Sequence, residues 1–241
     1  MKALWRTLAV TYDVLITFRR QWMWIAQSFV YLLGLAFMLY AWGGGGALKH
    51  LVVAYLVTGF WGIGLNVAAQ FIGYDKFSGD FERVVCSPLT PLEYILGYVL
   101  GSMIFAAAEL PALIALGLML ELPITGLLLA LLLSIVGTFI GLFVSLSILL
   151  RIENPMNVSA VTNPLYALTT AIPPVYYPPI LIPEQLRPLA LIAPTSALVD
   201  LGRALCGLQN FYPLWASVAS ITAWSVAAVL LSASKMKWGE L

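Results

Sequence analysis

Five stretches of this chain carry no charged side chain: residues 21–48, 51–74, 122–150, 154–183 and 204–234. A helix rises about 1.5 Å per residue, so about 20 apolar residues cross the hydrocarbon core of a bilayer. Each run is long enough. In lipid the backbone must bond to itself, and a helix does so within a single segment. Of all residues, 61% are hydrophobic and 10% charged, whereas an ordinary soluble domain has about 25% charged residues. A water-soluble fold, a collagen-like repeat and a disordered chain are excluded. The expected fold class is an all-α, polytopic membrane protein.

Other function classes fall on simple grounds. The formal net charge is +1, so no basic field exists to hold nucleic acid. A single histidine, His50, cannot build a His-rich metal or catalytic centre. The Gly43–Gly46 run continues as Ala47-Leu48-Lys49, which is not a phosphate loop. The chain is therefore expected to hold no cofactor and no metal of its own, and to have no catalytic residues. The N-terminal apolar run is too long for a removable signal, and no small-x-small site follows it.

Six spans are expected, at 22–42, 51–73, 95–120, 124–150, 156–172 and 211–234, in one transmembrane domain covering 1–241. Trp22 and Trp24 at one end of the first span, with Tyr40 and Trp42 at the other, form aromatic belts. With the N-terminus inside, the cytoplasmic side holds Lys2, Arg6, Arg19, Arg20, Lys76, Arg83, Arg151, Lys235 and Lys237. The outer side holds only Lys49, Arg187 and Arg203. Both termini are thus expected in the cytoplasm. Cys86 falls inside and Cys206 in the outer half, so they should not pair. Residues 2–20 read as an amphipathic interfacial helix. Lys2, Arg6, Asp13, Thr17 and Arg20 form one stripe, and Leu4, Leu8, Tyr12, Leu15 and Phe18 another.

The most informative stretch joins spans two and three, at 75–93. Gly79 breaks the chain out of span two, and Ser87-Pro88 and Thr90-Pro91 are turn and helix-start signals. A short helix over 80–86 sits between them, presenting Phe81, Val84 and Val85 with Glu82 and Arg83. The run from Gly79-Asp80-Phe81-Glu82-Arg83-Val84-Val85-Cys86-Ser87-Pro88-Leu89-Thr90-Pro91 to Leu92-Glu93-Tyr94-Ile95-Leu96-Gly97 resembles the second cytoplasmic segment of ABC-2 type permeases. These are the membrane subunits of type V ABC exporters. Asp80 stands where that family usually has Thr, and Asp75 lies near a position it often fills with Glu. A second match is Ile182-Pro183-Glu184-Gln185-Leu186-Arg187-Pro188 followed by Pro194-Thr195-Ser196-Ala197-Leu198-Val199-Asp200-Leu201-Gly202-Arg203. It is similar to the family's proline-rich outer segment and its P-x-x-x-x-V-D-x-x-R.

The resemblance implies an exporter subunit in the plasma (inner) membrane, paired with a second copy of itself or a paralogous permease. Separate ATP-binding subunits would bind ATP and Mg. The loop after span two would be the coupling helix, so Phe81, Glu82, Arg83 and Val84 are assigned to ATPase contact. Apolar anchors beside a charge pair suit a small intersubunit hot spot. Spans two and five of two copies would line the conduit, and re-entrant helices within 173–205 would close its outer mouth.

Polar residues inside the spans fit that scheme. Asn66 and Gln70 share a face of span two at i, i+4. Thr162, Tyr166 and Thr169 lie on span five, where Pro164 should kink the helix. Glu109 lies inside span three, 16 residues beyond Glu93, which is about 24 Å along a straight helix. A carboxylate at a helix centre costs about 2.5–3.5 kcal/mol on insertion scales, so it should face a cavity or a partner. Asn66, Gln70, Glu109, Thr162, Tyr166 and Thr169 are the candidate translocation path, although interhelical hydrogen bonds alone would also account for such residues. The apolar run 173–183 is too proline-rich for a helix and must be covered by protein. Pro173, Tyr176 and Tyr177 are its candidate outer gate. Gly97-x-x-x-Gly101 and Gly137-x-x-x-Gly141-x-x-x-Ser145 are small-residue stripes for a fixed scaffold.

A membrane enzyme acting on lipid would need convergent acids, His or Cys at one face, and only Glu109 and scattered loop acids exist. An ion-coupled secondary transporter commonly has broken helices in both halves, whereas here the sequence breaks concentrate in the second half. The expected cargo is a hydrophobic or amphiphilic small molecule, as in multidrug export, or a lipid. The alternative is a lipid-linked polysaccharide.

Overall fold

The computed structural model describes residues 2–20 and 23–233. Trp22 of the first aromatic belt, Ser234 at the end of span six, and Lys235 and Lys237 of the charge count lie outside them. The chain is 83% helix, with no strand among the described residues.

Helix α2 (Met23–Gly62) is a hairpin. At Gly44 the backbone turns to φ 58°, ψ −151°, a region open to glycine and closed to side-chain-bearing residues. The arms then run back along each other. The Tyr55 hydroxyl donates to the Ser28 carbonyl at 3.1 Å, and Leu32 and Leu39 pack with Leu51 and Tyr55. The second arm continues through a π-helical segment, Ile63–Ala68, into α3 (Ala69–Ser78). The two arms and their continuation cover the stretches 23–43 and 45–78 of the chain.

The stretch expected as span three, over 95–120, is a broken helix. It is α5 (Pro91–Ala106) and α6 (Leu110–Met119), bent by 51°. Pro111 has no N–H to give the carbonyl four residues back. Across the break, Ala108, Glu109 and Leu110 donate instead to carbonyls three residues earlier. Helix α5 also leans. Tyr94 and Tyr98 meet Asp75, and Tyr98 stacks on Phe71, so much of α5 stays level with the last two turns of α3. The depth reckoned for Glu109 along a straight helix is therefore an overestimate. The break also overturns the expectation that broken helices concentrate in the second half.

Helix α7 (Ile124–Leu149) is the scaffold. A Cβ built on Gly64 would lie 1.9 Å from the Thr138 carbonyl oxygen, and one on Gly141 2.9 Å from the Trp61 carbonyl oxygen. The stripe of α7 thus seats the π segment backbone to backbone. The Gly97/Gly101 stripe seats a different element. It receives α1 (Lys2–Arg20), with Val10 and Thr7 against Gly97 and Val14 and Thr11 against Gly101, so the two helices run parallel. The buried face of α1 is Thr7, Thr11, Val14 and Phe18. Leu4, Leu8 and Tyr12 of the expected apolar stripe point outward, while Phe18 of the same stripe packs inward. Arg6 turns in to Glu93 and the Pro88 carbonyl.

Helix α8 (Asn157–Thr170) follows, with Pro164 inside. Its 14 residues reach about 21 Å, less than the hydrocarbon core. Turns lead to 3-10 segments at Pro179–Leu181 and Glu184–Ile192, then α9 (Pro194–Leu205) at 99° to the latter, and α10 (Leu214–Ala233). Among the described residues three helices, with Met23–Ser78 counted as one, are long and apolar enough to cross a membrane, or up to five if each bent pair is one span.

Candidate functional site

Three places hold the residues singled out above. The first is α4 (Asp80–Val85), between α3 and α5 at the end of the bundle that also carries the C-terminus of α7. Gly79, at φ 79°, ends α3 and starts α4. Thr90 and Glu93 form a reciprocal cap on α5, with Pro91 at its first position. Phe81 is 5% exposed and meets Tyr94 edge-on at 6.0 Å. It anchors α4 to its own chain, with its ring turned away from the surface. Glu82 and Arg83 are exposed and Val84 is partly so; Arg83 pairs with Asp80 at 2.9 Å.

Beneath α4 lies a cluster the sequence reading did not find. The Tyr94 and Tyr98 hydroxyls both donate to Asp75 Oδ2, at 2.6 and 2.5 Å. Two tyrosines at i, i+4 on one face of α5 were the available signal. Lys76 caps α7 through the Leu150 and Ile152 carbonyls, at 3.0 and 3.2 Å.

The second place is a cavity of about 690 Å³ between the α2 hairpin, the π segment, the α5–α6 break and α8. Of the candidate path residues, Asn66, Glu109 and Tyr166 line it. Gln70 lines a neighbouring cavity of about 380 Å³, with Asn66 and Asn163. Thr162 and Thr169 line neither. A ladder ties the π segment and α3 to α8. Asn66 donates to Asn163 at 2.9 Å, Gln70 to Asn66 and to the buried Thr162 at 2.6 Å each, and the Trp61 indole to Thr169 at 2.9 Å. Interhelical hydrogen bonding thus accounts for Thr162, Thr169 and much of Gln70. A π segment arises where the helix makes room for an extra residue, and here it carries Asn66 to the cavity wall. Tyr31 and Tyr55, absent from the candidate path, also line the cavity.

The third place is the opposite end of the bundle. Pro173, Pro174 and Val175 are buried beneath their own chain. The fully buried Arg203 donates to the Val175 carbonyl at 2.6 Å and more weakly to Pro174 at 3.4 Å. The Tyr176 hydroxyl shares a 2.7 Å bond with Thr58, and that of Tyr177 donates to the Ile172 carbonyl. Asp200 accepts from the backbone N–H groups of Phe211 and Tyr212, at 2.8 and 3.2 Å. The V-D-x-x-R pattern is therefore a double clasp: its acid holds the chain after α9 and its arginine the chain after α8.

The family model of the ABC-2 family transporter proteins matches residues 25–234, which takes in all three places. The chain belongs to that family. A search of curated proteins finds no significant match. As an ABC-2 transporter the chain is a multi-pass membrane permease of an ABC exporter, a transport subunit that works with an ATP-binding subunit. In this ABC-2 permease no cluster of three His, Cys, Asp or Glu suited to a metal occurs among the described residues.

Proposed function

We propose that this permease spans the plasma membrane six times with both termini in the cytoplasm. It pairs with a second permease chain, and two separate ATP-binding subunits hold ATP and Mg and dock at α4. The arms of α2, with its continuation to Ser78, are spans one and two. The bent α5–α6 pair is span three, and α7, α8 and α10 are spans four to six. The end with Lys76, Arg83 and Arg151 faces the cytoplasm, and the segment 173–205 forms the outer mouth. The cargo is a hydrophobic or amphiphilic small molecule or a lipid.

The observation that carries the cargo reading is the cavity. It is half open, of small-molecule size, and walled mainly by apolar and aromatic side chains. A polysaccharide needs a continuous channel instead. On α4, the docking surface is Glu82 and Arg83 with the edge of Val84, held in place by Phe81. The test is co-purification of the permease with its ATP-binding subunit and ATP-driven transport in proteoliposomes. The pair Glu82→Lys with Arg83→Glu should abolish co-purification and nucleotide-driven transport while leaving the thermal midpoint unchanged. Normal ATPase retention and transport in that variant would remove α4 as the docking element.

A further inference from the structure

The wall of the 690 Å³ cavity is chemically lopsided. Six aromatic side chains line it: Trp24, Tyr31, Tyr55, Phe60, Phe105 and Tyr166. Among the described residues Glu109 is its only charged one, and no Lys, Arg or His joins it there. The two ion pairs among the described residues are Arg6–Glu93 and Arg83–Asp80, so Glu109 has no countercharge among the described residues. Its hydrogen-bonding neighbour is the Tyr55 hydroxyl, which also reaches the Ser28 carbonyl at 3.1 Å, so Glu109 has a neutral partner in place of an ion pair. The helix break at 107–109 holds the carboxylate at this wall. A carboxylate beside an apolar wall attracts a cation, and ring faces add attraction for a poorly hydrated one.

We infer that this cavity binds a monocationic amphiphile, with Glu109 as its counter-ion and the aromatic wall around its apolar body. The inference deepens the exporter reading and rests on it only for the movement of the ligand, not for its binding. A hydrated metal ion does not suit an apolar wall with a single carboxylate. An anionic amphiphile would meet the carboxylate as a like charge. A neutral one would leave Glu109 uncompensated.

Equilibrium binding to the permease–ATPase complex in lipid nanodiscs, without nucleotide, tests this. The probe is radiolabelled methyltriphenylphosphonium, a permanent cation. The competitor is 1,1,1-triphenylethane, its neutral isostere. The wild type should bind the cation saturably and prefer it over the isostere. Glu109→Gln should lose roughly 10- to 100-fold in cation affinity, the range for a charged contact in a buried site, while Glu109→Asp retains the preference. Equal affinity of the wild type for cation and isostere would overturn the inference, whatever the substitutions do to folding. So would undiminished cation binding by a folded Glu109→Gln variant. ATP-driven movement is scored separately in proteoliposomes. Cation binding without such movement would overturn the exporter reading and leave the site standing. Transport of neutral amphiphiles without cation preference would do the reverse.

Discussion

Among the described glycines an added Cβ would come nearest to another backbone at Gly64, where the π segment meets α7, and Gly64→Ala tests whether that contact sets the geometry of the cavity. A Cβ there would lie 1.9 Å from the Thr138 carbonyl oxygen, 2.7 Å from its carbon and 3.0 Å from the Leu142 nitrogen. All three are backbone atoms, so no side chain can swing aside. Restoring an ordinary 3.4 Å contact means opening the two helices by about 1.5 Å. That would strain the 3.0 Å bond from the Thr138 hydroxyl to the Phe60 carbonyl. Overpacking costs about 1–3 kcal/mol, and alanine returns about 0.5–1 kcal/mol of helix propensity. A rigid backbone puts the net cost near 2 kcal/mol, or about 4–8 °C for a chain of this length. Gly34→Ala is the control, because nothing lies within 4 Å of its added Cβ. The assay is thermal unfolding in nanodiscs. Gly64→Ala should melt well below wild type, and Gly34→Ala level with it or slightly above. If both melt with the wild type, the π segment is not clamped to α7 and the cavity wall it carries is not fixed by this contact.

Glu121 ends α6 at φ 63°, with Glu121 and Leu122 donating to the Leu118 and Gly117 carbonyls, whereas Gly207 fills the equivalent place after α9. Glu121→Gly should therefore raise the melting midpoint, by about 1 kcal/mol of relieved left-handed strain, and an unchanged or lower midpoint would count against it. Arg203→Gln should free the chain after α8, raising hydrogen exchange at Val175–Tyr177 by about tenfold or more, from about 1–3 kcal/mol of lost bonding; unchanged exchange would mean the clasp is not Arg203. Cys206 is buried, and burial pushes its thiol up to about 11, while Cys86 is exposed. Since only the thiolate reacts, maleimide at pH 7 should label Cys86 and spare Cys206, with Cys206 labelling rising as pH climbs toward 11. Equal labelling at pH 7 would show that the end of α9 is open.

What could be read in the sequence was what local chemistry decides. The apolar runs marked the helices, and Gly79, Thr90-Pro91 and Glu93 marked the turn and the cap around α4, because each acts within a few residues of itself. The small-residue stripes marked close approach but not between which helices: Gly97 and Gly101 seat α1, a partner nearly 90 residues away in the chain. Phe81 looked like a surface anchor because it shares a short helix with Glu82 and Arg83. Its burial depends on Tyr94, which only the folded chain brings beneath it. The charge sorting that placed Arg6 in the cytoplasm could not show it turned inward to Glu93. Asp75 was noticed as a departure from a motif, and its two tyrosine donors became visible only when α5 crossed α3.

The route from α4 to the cavity follows from this packing. Helix α3 and the π segment are one unbroken helical rod from Ser78 to Ile63, and its far end carries Asn66 into the cavity wall. At the near end Asp75 binds the rod to α5 through Tyr94 and Tyr98, and α5 leads directly to the break that carries Glu109. A push on α4 under the proposed docking scheme therefore enters both walls of the cavity at once, one through the rod and one through α5. The rod is clamped to α7 at Gly64, so it can rock there but not slide. Helix α5 has no such clamp on α7 and ends in a break without regular i to i−4 bonding, so the larger displacement falls on the Glu109 side. Replacing Tyr94 and Tyr98 together with Phe keeps the packing and removes both bonds to Asp75. The variant should fold and hold its ATP-binding subunit yet export with less transport per ATP hydrolysed. An unchanged transport-to-hydrolysis ratio would show that the link through Asp75 carries no motion between the docking helix and the cavity.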